Sequence, residues 1–331
     1  MRKVLRYAGF ALLALLGALA VAWFANASFW SSHRAPAVLL AHRGLAQTYH
    51  REDLTNDTCT ATRIYPPEHP YLENTIASMQ AAFAAGADIV EFDVHPTTDG
   101  AFAVFHDWTV DCRTEGKGVT RKHTLAELKA LDIGYGYTAD GGKTFPFRGK
   151  GVGLMPSLDE VLATFPDKRF LINVKSRDPH EGRLLAERLL QLPEAQRALL
   201  MAYGGDEPMR ELNARIPSMP TTSRQKVMAC GTRYLALGWS GHVPEACRNT
   251  IMLVPVNAGW LLWGWPNLFF ERMERAGSRV FVTGPYGPGE VGTSGIDSEA
   301  DAARLPEGFS GGIWTNRIDR IGPAFKAAPA P

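Results

Sequence analysis

The sequence has little net charge of either sign. Its 331 residues include 35 Lys and Arg against 34 Asp and Glu, for a formal net charge of +1. Such a chain lacks the excess of cations that holds a protein on nucleic acid by bulk electrostatics, so we expect no nucleic-acid partner. Hydrophobic residues make up 45 % of the chain, an ordinary globular composition that excludes a disordered or collagen-like protein.

Other features are also missing. The four cysteines are too few for a disulfide scaffold, and no CxxC pair or Cys/His spacing indicates zinc. No G-x-G-x-x-G follows the first predicted strand, so nothing supports dinucleotide binding. No internal repeat of about 20–50 residues is visible, which argues against a solenoid or propeller.

The N-terminus carries a targeting or membrane segment. Basic residues precede a run from Tyr7 to Ala25 that contains no charged residue, a pattern typical of a helix that crosses a bilayer with its N-terminus inside the cell. Ala25-Asn26-Ala27 also resembles a signal-peptide cleavage site. We favour a membrane anchor within residues 1–30 over a signal cleaved after Ala27. Both alternatives place the rest of the chain outside the cytoplasm, on the periplasmic or extracellular side.

That compartment favours disulfides. We expect the pairs Cys59–Cys112 and Cys230–Cys247. The other two pairings and free thiols remain open.

Apolar strands alternate with amphipathic helices over the rest of the chain. The predicted strands lie near residues 38–41, 88–94, 101–105, 169–175, 199–203, 251–256, 279–283 and 312–315. This alternation indicates an α/β fold with parallel βαβ units, and its strand count favours a TIM-type (β/α)8 barrel over residues 36–325. An open doubly wound sheet is the alternative.

Polar residues lie at the ends of the first four predicted strands, and they are His42, Arg43, Glu91, Asp93, His106 and Lys175. In a (β/α)8 barrel the C-terminal strand ends form one face, so we expect these side chains to share a pocket. Glu91 and Asp93 offer the oxygen ligands that Ca²⁺ or Mg²⁺ prefers. Arg43 and Lys175 suit an anion such as phosphate.

The two histidines can act as base and acid across a phosphorus centre. Together with one divalent cation, the pocket predicts phosphodiester cleavage. We expect His106 to be the acid, because His42 stands next to the phosphate-binding Arg43.

Four short motifs resemble the glycerophosphodiester phosphodiesterase family, namely Ala41-His42-Arg43-Gly44, Leu72-Glu73-Asn74-Thr75, Val90-Glu91-Phe92-Asp93-Val94 and Phe105-His106-Asp107. The resemblance covers roughly residues 38–320. It implies a TIM-type barrel that hydrolyses glycerophosphodiesters to glycerol 3-phosphate and an alcohol. It also implies that Glu73 lies in or beside the metal shell.

Two departures from that family affect the expected function. The family usually has a glutamate ligand two residues before the lysine of the fourth strand, where this chain has Asn173. A neutral amide ligand should weaken binding of the cation. An insert over residues 45–72 is longer than in compact family members, and we expect it to overhang the active face.

Other functions remain open. The segment 257–270 holds three Trp and two Phe, which pack in the core or meet an acyl chain or the bilayer. The substrate is therefore a small-molecule or a lysolipid phosphodiester, and a lysophospholipase D-, phospholipase- or sphingomyelinase D-like reaction is an alternative. Asn173 also keeps open a catalytically silent, membrane-anchored protein that binds phosphodiesters.

Overall fold

An isolated helix begins the described part of the chain. The computed structural model describes residues 2–31, 35–55, 58–287, 294–306 and 309–326. The first helix is α1 (Arg2–Ala25), and its segment Arg6–Ala25 is long and apolar enough to cross a membrane and is not buried inside the protein. A helix that is apolar and exposed on all sides suits a lipid environment, as expected for an N-terminal anchor or signal helix.

Nine strands after α1 form one sheet. They are β1 (Val38–His42), β2 (Ile89–Pro96), β3 (Phe102–Val104), β4 (Arg169–Val174), β5 (Leu200–Gly204), β6 (Thr221–Ser223), β7 (Ile251–Pro255), β8 (Arg279–Thr283) and β9 (Gly312–Thr315). Eight of them are parallel, in the order β6-β5-β4-β2-β1-β9-β8-β7. The first and last strands pair directly, with Ala41 opposite Thr315. That pairing confirms the TIM-type barrel over the open doubly wound sheet.

Helices connect the barrel strands. They are α2 (Ile76–Ala84), α3 (Leu125–Ala130), α4 (Leu158–Thr164), α5 (Pro179–Leu190), α6 (Glu194–Arg197), α7 (Asp206–Arg215), α8 (Arg224–Leu237), α9 (Asn267–Arg275), α10 (Glu299–Ala302) and α11 (Ile318–Lys326). Where β6 and β7 meet, Thr250 Oγ1 donates to the carbonyl of Thr221 at 3.2 Å, so the barrel is nearly closed.

The third predicted strand is not a barrel strand. β3 runs antiparallel to β2, with Val104 opposite Val94. The short turn through Asp99 and Gly100 explains this correction, because a parallel crossover needs a dozen or more residues. The hairpin still returns the chain to the end of β2, where the amide of Phe105 donates to the carbonyl of Asp93 at 3.0 Å.

The sequence pattern does not reveal the strand β6. Its residues Thr221, Thr222 and Ser223 are polar but buried. Thr222 Oγ1 lies 3.1 Å from Thr250 Oγ1 and can donate to it while Thr250 donates to the Thr221 carbonyl, which shows how this strand satisfies hydroxyl groups inside the protein. A buried strand at this position therefore does not need a run of apolar residues.

Three hydrophobic cores support the barrel. The largest lies between sheet and helices. The barrel interior is filled by Leu40, Ile89, Leu171, Met201, Ile251, Phe281 and Trp314. A third core joins the insert to the segment after β3 through Ala61, Ile64, Leu72, Phe105, Val110, Leu128, Ile133, Tyr137, Phe147 and Met155. The insert is thus packed onto the barrel.

Both expected disulfides are present. Cys59–Cys112 joins the insert to the segment after β3, and Cys230–Cys247 joins α8 to the turn before β7. A bond that closes a long loop stabilises mainly by restricting the unfolded chain, so the first disulfide holds the insert in place.

These bonds predict the redox state of the mature protein. We expect alkylation without reduction to add no mass, and alkylation after reduction to modify all four cysteines, because oxidised thiols do not react. Intact-mass spectrometry of protein purified from its own cells checks this. Recovery from the cytosol with reactive thiols would contradict an extracytoplasmic location.

Candidate active site

The structure brings all eight predicted site residues to one end of the barrel. His42 ends β1, and Glu91 and Asp93 lie within β2. The register of β2 and β4 places Asp93 beside Asn173, and Lys175 follows directly. Arg43, Glu73 and His106 come from the loops around them, and this shared position explains why separate motifs form one site.

Backbone strain shapes the first motif. Arg43 has a positive φ of 61° and Gly44 one of 78°, in the left-handed region where a side chain is costly. A Cβ on Gly44 would lie 2.6 Å from Ser78 Oγ. Glycine at position 44 therefore lets the loop pack closely against α2. The Arg43 side chain lies in the pocket.

Each residue of the second motif has a separate contact. Glu73 Oε1 accepts from Arg43 Nη1 at 3.0 Å. Asn74, which also has a positive φ of 60°, donates Nδ2 to Asp93 Oδ2 at 3.0 Å. Thr75 caps α2 by accepting from the Ser78 amide. The motif therefore combines charge pairing, support of a buried carboxylate and a helix N-cap.

Asp93 is a fully buried carboxylate. Asn173 Nδ2 donates to its Oδ1 at 2.8 Å, Lys175 Nζ lies 3.6 Å from Oδ1, and Arg43 Nε lies 3.5 Å from Oδ2. Burial alone would raise the pKa of Asp93, but Lys175, His106 and Arg43 outweigh it and hold that pKa below its usual value. Asp93 is therefore ionised inside the protein.

Glu91 has weaker compensation. Tyr203 donates its hydroxyl to Oε1 at 2.7 Å, and the Arg43 amide donates to Oε2 at 3.1 Å. Burial and the neighbouring Asp93 raise the pKa of Glu91 to about 8. A further positive charge at this point would favour its ionised form.

Contacts on both sides fix the tautomer of His42. Arg43 Nε donates to His42 Nε2 at 3.2 Å, and a guanidinium can only donate, so Nε2 is unprotonated. Nδ1 then donates to Asn316 Oδ1 at 2.6 Å, while Asn316 Nδ2 donates to Asp297 Oδ2 at 2.8 Å. Burial, followed by the charge of Arg43, lowers the pKa of His42 well below its ordinary value. His42 is thus held as a neutral base.

His106 has a carboxylate partner. Its Nδ1 donates to Asp107 Oδ1 at 2.7 Å, and Arg113 Nε donates to Asp107 Oδ2 at 2.9 Å. Burial, followed by Arg43 and Lys175, lowers the pKa of His106, and the neighbouring carboxylates oppose that shift. An imidazole with a carboxylate on Nδ1 presents Nε2 to the pocket and is stabilised when protonated.

Sequence reasoning missed the residues that support the two histidines. Asp107 was visible in the His-Asp motif, but no role was assigned to it. Asn316 follows β9, so the same strand-end rule that indicated Lys175 would have found it. Arg113 gave no signal, because it lies in a loop and its partners are distant in sequence.

The carboxylates offer donors for a hard cation. Within the described residues, no three His, Cys, Asp or Glu side chains are grouped as a ready-made metal site. However, Glu73, Glu91 and Asp93 all contact Arg43, through its Nη1, its amide and its Nε respectively. Buried carboxylate oxygens are the donors that Ca²⁺ or Mg²⁺ prefers, so the chemistry of these side chains suits such an ion, while Arg43 pairs with them in this structure.

A cleft of about 670 Å³ opens above His42 and Arg43. The insert supplies much of its wall, including Gln47, Tyr49 and Tyr65. The expected overhang of the active face is therefore present. Arg43 therefore shares this cleft with residues of the insert.

Comparison with known proteins identifies the family. Residues 42–196 match the family model described as glycerophosphoryl diester phosphodiesterase. A glycerophosphodiester phosphodiesterase of Caldanaerobacter subterraneus subsp. tengcongensis is 43 % identical over 31 % of this chain, a match that spans 39 % of that protein. A Bacillus subtilis protein of the same name is 29 % identical, over 77 % of this chain and 80 % of that protein.

Solved structures share the fold. A glycerophosphodiester phosphodiesterase from Agrobacterium tumefaciens has a TM-score of 0.56 at 21 % identity, over 88 % of this chain and all of that one. An Oleispira antarctica phosphodiesterase, solved in complex with the product sn-glycerol-3-phosphate, has a TM-score of 0.54 at 18 % identity, over 88 % of this chain and 98 % of that one. The motifs and these sequence matches show that residues 42–196 belong to the glycerophosphoryl diester phosphodiesterase family, a family of phosphoric diester hydrolases, and the solved structures show the same barrel fold.

Proposed function

We propose that this protein hydrolyses glycerophosphodiesters to glycerol 3-phosphate and an alcohol, with the help of one divalent cation, Ca²⁺ or Mg²⁺. The observation that carries the proposal is the contrast between two histidines of the site, buried His42 and partly buried His106. His42 presents an unprotonated Nε2, and His106 has a carboxylate on Nδ1. One base and one acid beside an arginine and a lysine are what cleavage of an anionic diester requires.

The named relatives support the substrate class. The Caldanaerobacter and Bacillus proteins are called glycerophosphodiester phosphodiesterases, and the Oleispira neighbour holds sn-glycerol-3-phosphate. In this chain Arg43 and Lys175 supply cationic donors for the phosphate oxygens. We therefore expect the phosphate to lie at Arg43 and Lys175, with the alcohol toward the insert side of the cleft.

His42 acts on the nucleophile in this proposal. Its Nε2 takes the proton of the attacking hydroxyl, which is water or a vicinal hydroxyl of the substrate. When Arg43 turns to the phosphate, it releases Nε2 for this task. Asn316 holds the other ring nitrogen, so the orientation of the ring is kept while the charge changes.

His106 acts on the leaving group. An alkoxide is a poor leaving group, so the protonated Nε2 donates its proton to the departing oxygen as the P–O bond breaks. Asp107 supports the imidazolium before that step. The proton taken up by His42 and the one lost by His106 exchange with solvent, which restores the starting state.

Glu91, Asp93 and Glu73 would hold the cation through carboxylate oxygens, with Asn173 contributing its amide oxygen. The ion supplies charge stabilisation for the phosphorane when bound. In its absence Lys175 and Arg43 balance Asp93. The cation would add the charge that favours ionised Glu91.

A lysolipid diester is the second substrate class. Trp260, in the segment after β7, is 74 % exposed, so part of the aromatic segment is available to an acyl chain. Phe269 and Phe270, by contrast, pack in the core. Product analysis by phosphorus NMR separates glycerol 3-phosphate from a lipid phosphate or a cyclic phosphate.

We also propose that the catalytic domain lies outside the cytoplasm. The basic residues before the apolar helix orient its N-terminus inward, and two disulfides fit an oxidising compartment. The helix is either an anchor or a cleaved signal.

The histidine roles predict a leaving-group effect. We expect His42→Ala and His106→Ala each to lose at least ~10²-fold in rate on glycerophosphocholine, the usual cost of a lost acid or base. A nitrophenyl diester, whose leaving group needs no proton, should restore His106→Ala but not His42→Ala. His242→Ala, at an exposed position before β7, is the control. Equal rescue of both variants, or of neither, would refute the assignment.

Asp107 sets the alkaline side of the pH profile. Burial, Arg43 and Lys175 lower the pKa of His106, and Asp107 opposes them. In Asp107→Asn the pKa falls further, so His106 loses its proton at lower pH and the alkaline limb of kcat/KM moves to lower pH. The variant should also lose ~10²-fold or more at the optimum. Asp111→Asn, in the same loop, should leave the profile unchanged, and an unmoved alkaline limb in Asp107→Asn would contradict the role.

The cation predicts coupled losses of binding and activity. Asp93→Asn should abolish both Ca²⁺ or Mg²⁺ binding, measured by calorimetry, and hydrolysis, because a hard cation loses a charged ligand. Asn173→Glu should tighten binding for the converse reason. Asp159→Asn, an exposed site on α4, controls for general effects.

Two results would contradict the proposed metal-dependent hydrolysis. Turnover that persists unchanged with a chelator would contradict metal dependence. Phosphodiester binding without turnover at any cation concentration would favour a catalytically silent binding protein.

A further inference from the structure

The end of α1 is fastened to the barrel domain. Asn26 is 5 % exposed, and its Nδ2 donates to the carbonyl of Trp239 at 2.8 Å. Arg272 Nη1 donates to Asn26 Oδ1 at 2.7 Å. The amide of Asn267 donates to Ser28 Oγ at 3.0 Å. Residues 26–28 are therefore not a flexible linker. They lie in a socket, the name used here for the contacts that α9 and the turn after α8 make with them.

The socket bears on the choice between anchor and signal. Asn26 is the middle residue of the possible cleavage site Ala25-Asn26-Ala27. Cleavage after Ala27 would remove the side chain that pairs with Arg272 and the carbonyl of Trp239. The fold described here uses Asn26 as a buried, hydrogen-bonded residue, so it is the fold of a chain that keeps α1.

Exposed hydrophobic side chains surround the socket. The membrane-facing surface is defined here by Phe29, Trp30, Leu235, Leu237, Trp239 and Trp260, which are between 43 % and 74 % exposed. Trp30 Nε1 donates to the carbonyl of Phe24 at 2.8 Å, so Trp30 folds back on the end of α1. Trp263 Nε1 donates to the carbonyl of Leu235 at 2.9 Å, which brings the segment of Trp260 to α8.

The same surface is basic. No Asp or Glu stands between Arg224 and Pro244, although acidic residues are frequent elsewhere. Arg224 and Arg233 on α8 are exposed. Arg233 lies one turn before Leu237 on α8, and exposed tryptophan and leucine beside an exposed arginine are typical of a surface that meets anionic lipid headgroups. The carboxylate of Glu271 beside the socket is paired with Arg275 and accepts from Ser31 Oγ.

We propose that the membrane-facing surface lies on the bilayer that α1 crosses, so that the domain is seated on the membrane rather than tethered at a distance. The proposal rests on retention of α1. The socket fixes the direction in which α1 leaves the domain, and that direction brings the hydrophobic side chains around it to the lipid–water interface. The lipid headgroups are the chemical partner.

A fluorescence-quenching experiment on the full chain tests whether the membrane-facing surface contacts the bilayer. All four native cysteines are in disulfides, so Leu237→Cys can be labelled alone with an NBD maleimide. Its matched control is Leu190→Cys on α5, where the leucine is 47 % exposed against 46 % for Leu237. In vesicles of neutral and anionic phospholipids, we expect iodide to quench the label at 237 at least ~3-fold less than the label at 190, because interfacial burial excludes the ion.

The socket is tested in the same assay. Asn26→Ala in the Leu237→Cys chain should raise quenching at 237 toward the control value, since the direction of α1 is no longer fixed. Unchanged quenching would overturn the role of the socket. Retained hydrolysis in detergent shows that each labelled chain is folded.

Three results would contradict contact between the membrane-facing surface and the bilayer. The first is equal quenching at 237 and 190 in chains whose mass shows that α1 is present. The second is a mature protein that begins after Ala27. The third is shielding of 237 in native membranes but not in vesicles, which would assign the surface to a protein partner. Hydrolysis of glycerophosphodiesters is measured separately, so a result that contradicts membrane contact does not count against the proposed reaction.

Discussion

Two carboxylates buried in the middle of a barrel strand impose the main constraint on this structure. Glu91 and Asp93 are both inaccessible to solvent, and isolated charges at such a depth would be prohibitively unstable. Neighbouring residues compensate the buried charge of Asp93, because Arg43, Asn74 and Lys175 each contact this carboxylate. The strained loop conformations at Arg43 and Asn74 follow from the same need. The site is therefore also a structural centre of the barrel.

The two histidines depend on different parts of the molecule. His42 is held by a residue that follows β9, whereas His106 is held through Asp107 and Arg113. Arg113 also donates to Thr60 of the insert at 2.8 Å and lies 3.2 Å from Glu73. Arg113 thereby connects the insert with Asp107, the partner of His106, and with Glu73. The insert therefore supports the candidate site as well as forming a wall of the cleft.

Local patterns predicted the residues that act directly, and missed those that hold them in place. Strand ends identified His42, Glu91, Asp93 and Lys175, because parallel strands deliver their ends to one face. The partners of the histidines come from distant segments, and only the closed barrel brings Asn316 to His42. The role of β3 as a parallel barrel strand was wrong, since the turn through Asp99 and Gly100 is too short for a parallel crossover and makes β3 antiparallel to β2.

Pairing of the first strand with the last has a consequence for the newly made chain. Every residue predicted for the site lies between His42 and Lys175, well inside the first two thirds of the sequence. Asn316, which keeps the His42 ring in its working tautomer, arrives only with the closing strand β9. A chain that is still being synthesised thus carries the complete set of motifs before the partner of the His42 ring exists. Recognisable motifs alone therefore do not assemble the site, because the orientation of His42 depends on the last strand of the barrel.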